Sequence, residues 1–143
     1  MEWNDSIENP EEKKKSFEDL IKKNPEDAHA HYELGVICDY MHDFTKAVQY
    51  CQKAIALDQE ENTLFHAFLV YLYSQRVFDE DKALEAAANF AELLPDESDY
   101  FIEKAIDSFG VVCIQSAYAY ITKLREQDRN TAAKAIGRWI FNP

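Results

Sequence analysis

Apolar residues in this chain recur at spacings of three and four, broken by short polar turns. That spacing marks amphipathic helices, whose apolar side faces a core. The clearest stretch is "HYELGVICDYMHDFTKAVQYCQKAIALD", residues 31–58, which carries the pattern of two helices joined at "HDF". The first predicted helix starts near Asn24-Pro25 and runs to about Met41, with Asn24 as N-cap and Pro25 in the first turn. The second runs from about Thr45 to Leu57. Further pairs are predicted at about Asn62–Ser74 with Asp81–Leu94, and at about Ser98–Phe109 with Val112–Gln127. Gly35 stands in the middle of the first helix, where glycine costs about 1 kcal/mol relative to alanine.

The pairs repeat. Gly35, Leu69 and Ala105 hold equivalent places, at steps of 34 and 36 residues. Ala47, Ala83 and Ala117 follow at 36 and 34, and Pro25, Gln59, Pro95 and Arg129 at 34, 36 and 34. The two extra residues fall between Leu69 and Ala83, most simply in the turn "SQRVFDED". Two helices stand outside the pairs. Residues 10–23 present Phe17, Leu20 and Ile21 as a short apolar stripe, and residues 131–141 present Ala132, Ala135, Ile136, Trp139 and Ile140. They read as terminal covers, which a stacked array needs to hide its end faces.

This pattern resembles the tetratricopeptide repeat, whose period is 34 and whose signature is W-x2-L-G-x2-Y, then A-x3-F, A and P. The first repeat gives His31, Leu34, Gly35 and Cys38, then Ala47, Cys51, Ala54 and Gln59; Leu34, Gly35, Ala47 and Ala54 match outright. The second gives Phe65, Phe68, Leu69 and Leu72, then Ala83, Ala87, Phe90 and Pro95. The third gives Phe101, Lys104, Ala105 and Ser108, then Ala117, Ile121 and Leu124, with Lys104 at a site where the family is apolar. The resemblance implies one all-α domain, a right-handed solenoid of about three helix pairs. Its parts are a cap helix at 10–23, repeats at 28–61 and 62–97, a degenerate repeat at 98–130 and a C-terminal helix at 131–141. It also explains Gly35 as the point where two helices cross closely.

The implied function is protein binding on the concave face, lined by the first helix of each pair. In the first repeat that face would hold His29, Tyr32, Val36, Asp39 and Tyr40. In the second it would hold Thr63, His66, Val70, Tyr73 and Ser74, and in the third Asp99, Ile102, Ile106 and Phe109. The expected occupant is a protein or peptide segment, apolar with some basic character, in a scaffold, adaptor or co-chaperone-like role. Family members that bind acidic chaperone tails use a clamp of Lys, Asn and Arg. Tyr32, Val36 and Ala67 stand at the corresponding positions, so no such clamp is expected. A secretion-type chaperone holding a client, and a self-assembling structural protein, are the alternatives; a homo-oligomer is compatible with each.

Composition narrows this further. With 143 residues, three glycines and four prolines, the chain suits one helical domain and not a turn-dense β fold. A formal net charge of −12 argues against binding a phosphate backbone. Three cysteines without a close pair predict neither a disulfide framework nor a zinc site. His29 and His31 lie on different helix faces and cannot share a metal from one helix. His31 takes the repeat's aromatic packing site, and Cys38 and Cys51 take packing sites. No Gly-rich phosphate loop, HExxH or GxSxG occurs, so neither catalysis nor a cofactor is expected. The acidic start lacks an apolar core and predicts no signal peptide, and no apolar run reaches membrane length. A reducing, cytoplasmic setting follows. The terminal Asn142-Pro143 repeats a helix-opening dipeptide, which leaves a longer array and a plain helix stop as two readings.

Overall fold

The computed structural model describes residues 6–60, 62–93, 122, 125–130 and 133. Among these residues every regular element is helical. The predicted third pair and the 131–141 helix lie outside them, apart from the few positions named. The described chain forms two compact units, divided between Phe65 and His66.

The first unit holds α1 (Pro10–Lys23), α2 (Ala28–Tyr40) and α3 (Phe44–Leu57). Helix α1 starts with Pro10 and ends on Lys22 and Lys23, while Glu11 and Glu12 occupy its first turn. Each charge complements the helix dipole. The helix packs on α2, which packs on α3. Helix α2 does not start at Asn24-Pro25 as expected. Two polar residues compete for the cap, and each is used locally. The Asn24 side chain accepts from the Glu26 amide at 3.3 Å and closes a turn. Asp27 Oδ1 accepts from the Ala30 amide at 3.0 Å and starts the helix.

Gly35 is buried in α2. Helix α3, which packs on α2, has the small buried side chains Ala47, Cys51 and Ala54. Small residues on both helices permit a close crossing, which offsets the helical cost of glycine. The turn between them places His42 in the left-handed region at φ 63°. There the Asp43 amide donates to Cys38 O at 2.8 Å, which satisfies a carbonyl at the end of α2. Asp43 Oδ1 in turn accepts from the Lys46 amide at 3.3 Å and caps α3.

The second unit begins within α4 (Thr63–Tyr71), which continues as a π-helical segment (Leu72–Arg76) and is followed by α5 (Glu80–Leu93). Helix α5 packs on the π segment. The turn repeats the first one 36 residues on: Phe78 has φ 57°, and Asp79 Oδ1 accepts from the Lys82 amide at 3.1 Å. The two extra residues therefore precede this turn. Helix α2 ends at Tyr40 and its counterpart runs on to Arg76, with Val77 N donating to Leu72 O across a π turn. Arg129 donates to Asn89 Oδ1 at 2.7 Å and lies 3.9 Å from Glu92, which ties residue 129 to α5.

Candidate functional site

The expected recognition face does not stand open along its length. Tyr32 is 1% exposed and stacks on Phe65, with ring centroids 4.9 Å apart and planes 27° from parallel. Full burial of such a ring gains about 1.5–3 kcal/mol, so a partner that closes over Tyr32 within the chain outcompetes solvent. Asp39 is also buried, as are Val70, Tyr73 and Ser74 in the second unit. Tyr73 sits in the π segment against which α5 packs, and Lys82 of α5 places its ammonium 5.8 Å from the ring. The expectation of solvent-facing tyrosines at 32 and 73 is corrected by this burial. His29 and Tyr40 remain exposed, and Val36 and His66 half-buried. Ile102, Ile106, Phe109 and Asp99 lie outside the described residues.

His29 leads to the larger described cleft of the first unit. It encloses about 540 Å³ between the start of α2 and the end of α3, and it includes Glu26, His29, Leu57, Asp58, Glu60 and Phe65. The His29 ring lies 6.3 Å from Phe65 and 5.9 Å from Tyr32, so the wall is aromatic. Its outer nitrogen is 3.3 Å from Glu33. Asp58 shapes the loop into α4, since one carboxylate oxygen accepts from the Glu60 amide and the other from the Asn62 amide. Glu26 and Glu60 are exposed and leave negative charge at the rim. Among the described residues, no three His, Cys, Asp or Glu side chains converge as a metal would require. Glu26, Asp58, Glu60 and Phe65 fall outside the face expected from the sequence. The signal for them is a pair of acidic turns flanking an aromatic helix start.

The cysteines serve the core. Cys38 and Cys51 are free thiols, both buried. Cys51 donates its S–H to Phe65 O at 3.2 Å, which holds the cleft's aromatic wall from behind. Burial pushes both thiols above their ordinary value of 9.0. Burial of this kind disfavours the thiolate that a nucleophile needs near neutral pH. A pH effect follows. The unfolded Cys51 thiol ionises from about 9.0 while the folded one stays protonated. Its contribution is fully present below that value and is lost as pH rises above it, by at most about 1.4 kcal/mol per pH unit. Urea midpoints at pH 7 and 10 should show a steeper fall for the wild type than for Cys51→Ala.

Residues 28–61 match the family model of the tetratricopeptide repeat. This helix pair is a tetratricopeptide repeat. The matched segment holds the same 34 residues that the spacing of Leu34, Gly35, Ala47 and Ala54 delimits. Within the repeat, His31 stands where the family signature has tryptophan, and it is buried as a packing residue. The match suggests a protein–protein interaction module, with a protein as partner. A search of curated proteins finds no match to the chain. No helix among the described residues is long and apolar enough to cross a membrane.

Proposed function

We propose that the chain is a protein-binding adaptor whose first repeat takes a partner segment, apolar with basic side chains, at the cleft beside His29. The observation that carries this reading is the cleft itself: an aromatic wall of His29 and Phe65 with Glu26 and Glu60 at its rim. An aliphatic chain bearing an ammonium or guanidinium suits that pairing, since its stem covers the rings and its charge meets the carboxylates. The net charge of −12 favours encounter with such a segment over an acidic tail. The wider architecture is read as a right-handed solenoid, with α1 capping the first repeat and 62–97 forming a second. His29, Val36 and Tyr40 supply the accessible part of the recognition face. The free buried thiols suit a reducing, cytoplasmic setting.

Fluorescence polarisation with two labelled peptides tests this reading. One alternates Leu with Lys or Arg, and the other alternates Leu with Glu. The chain should bind the first more tightly, with an affinity that falls as salt is added. Glu26→Lys with Glu60→Lys should weaken it about tenfold, because two rim attractions become repulsions. Both residues are exposed, so the circular dichroism spectrum should stay unchanged. Equal affinity for the two peptides would overturn the reading.

A further inference from the structure

On the outer side of the repeat, four residues of α3 form one stripe. Lys46, Gln49, Tyr50 and Lys53 follow the i, i+3, i+4, i+7 spacing of a single helix face. Together with His31 of α2 they line an open cavity of about 280 Å³. The His31 ring is 7% exposed and lies 6.1 Å from the Tyr50 ring. Its Nε2 is 3.0 Å from the Pro25 carbonyl oxygen. A carbonyl only accepts, so Nε2 carries a hydrogen, and in the neutral form of the ring Nδ1 keeps a lone pair. Nδ1 is buried and has no hydrogen-bond partner. A buried nitrogen without a partner is costly, and a group of this kind calls for a hydrogen-bonding partner.

The occupant must meet two demands. It has to share a hydrogen with the Nδ1 nitrogen, and it has to satisfy two ammonium groups in an otherwise acidic chain. We infer that the cavity is a phosphate-monoester site, with Lys46 and Lys53 taking the charge, Tyr50 donating its O–H, and His31 Nδ1 sharing the ligand's proton. A phosphate monoester titrates close to neutrality, with a second pKa of about 6, so it can bring one proton to the site. That proton lies between a phosphate oxygen and Nδ1, as O–H···N or as O⁻···H–N⁺. The complex holds one proton in either form. Sulfate carries none at neutral pH and has nothing to donate.

The surrounding charges act in both directions. Asp43, which precedes α3, lies 3.9 Å from the Lys46 ammonium, and both side chains are about half exposed. An ion pair of that kind is weak and yields to a doubly charged ligand. Glu18 of α1 and Asp43 both act on Tyr50, and Lys14 of α1 acts on nearby Cys38. Glu18 and Asp43 oppose the ligand, and Lys14 favours it.

Calorimetric titration of the whole chain at constant ionic strength tests the site, with inorganic phosphate, O-phosphoserine and sulfate as probes. At pH 7.5 phosphate should bind at least about tenfold more tightly than sulfate. The affinity of O-phosphoserine should fall by up to about tenfold per pH unit above its second pKa of about 6, because its dianion must take up a proton to bind, whereas inorganic phosphate keeps an O–H to donate. His31→Phe keeps a ring in the packing site while removing both nitrogens. It should lose the preference for phosphate over sulfate and the pH slope. Lys46→Met with Lys53→Met touches only the outer face of α3, and should abolish binding of both anions without unfolding the chain. At pH 6, where both probes carry a proton, tighter binding of O-phosphoserine than of inorganic phosphate would support a phosphorylated side chain as the source, and equal or weaker binding a free phosphate. Equal affinity for sulfate at pH 7.5, or no heat with either phosphate probe at millimolar concentration, would overturn the assignment.

Discussion

Tyr32→Ala is expected to remove about 3–5 kcal/mol of folding stability, the range for truncating a buried aromatic ring. The ring is buried and stacked on Phe65. The substitution therefore leaves a cavity and also deletes an aromatic pair worth about 0.5–1.5 kcal/mol beyond its area. Domains of this size have about 5–15 kcal/mol in total, so the variant would be close to its unfolding transition at room temperature. Urea denaturation followed by circular dichroism reads the effect directly. Tyr32→Phe keeps the ring and should stay near the wild-type midpoint. A wild-type midpoint for Tyr32→Ala would show that the ring is not part of the core. Alanine at position 32 thus removes structure before it removes recognition. Partner capture has to be tested at exposed positions such as Glu26 and Glu60.

Gly35→Ala sets two effects of opposite sign against each other. Helix propensity alone predicts a gain of about 1 kcal/mol, as for any exposed helical glycine. The packing predicts a loss, because a methyl group at this buried position has to be fitted into α2 where it packs on α3. Overpacking of this kind costs about 1–3 kcal/mol, so the net change is expected to be destabilising. Gly35→Leu should cost more and separate α2 from α3. The measurement is the shift in urea midpoint for both variants. A rise in stability for Gly35→Ala would mean that α2 and α3 do not approach closely at this point.

Local patterns are readable wherever one signal has no rival. Helix α3 lies within a residue of its predicted span because Asp43 caps its start and apolar spacing carries it to Leu57. The start of α2 departs from the predicted one because Asn24 and Asp27 both offer a side-chain oxygen. Choosing between them depends on which backbone amide each one reaches. A turn is the cheapest place for the two extra residues of the second pair, yet they do not enter the turn. The helix instead runs on through the π segment to Arg76, which leaves the Asp79 cap in the same relation to Phe78 that Asp43 has to His42. The matching "HD" and "FD" ahead of helices α3 and α5 are visible in the sequence and carry that information.

Periodic apolar positions and small residues at fixed offsets are local properties. The helical class and the match of residues 28–61 to the tetratricopeptide repeat are therefore written in the residues alone, and so is the place of His31, Cys38 and Cys51 among the packing residues. Which side chains of α2 face water is not. The spacing puts His29, Tyr32, Val36 and Asp39 on one side of the helix, but it does not say what lies against that side. Phe65 is 33 residues from Tyr32 in the chain, and their stacking closes part of the expected recognition face. The same contact leaves His29 beside an acidic rim. A helix face becomes a site only where nothing distant in sequence folds over it, and that is a property of packing rather than of pattern.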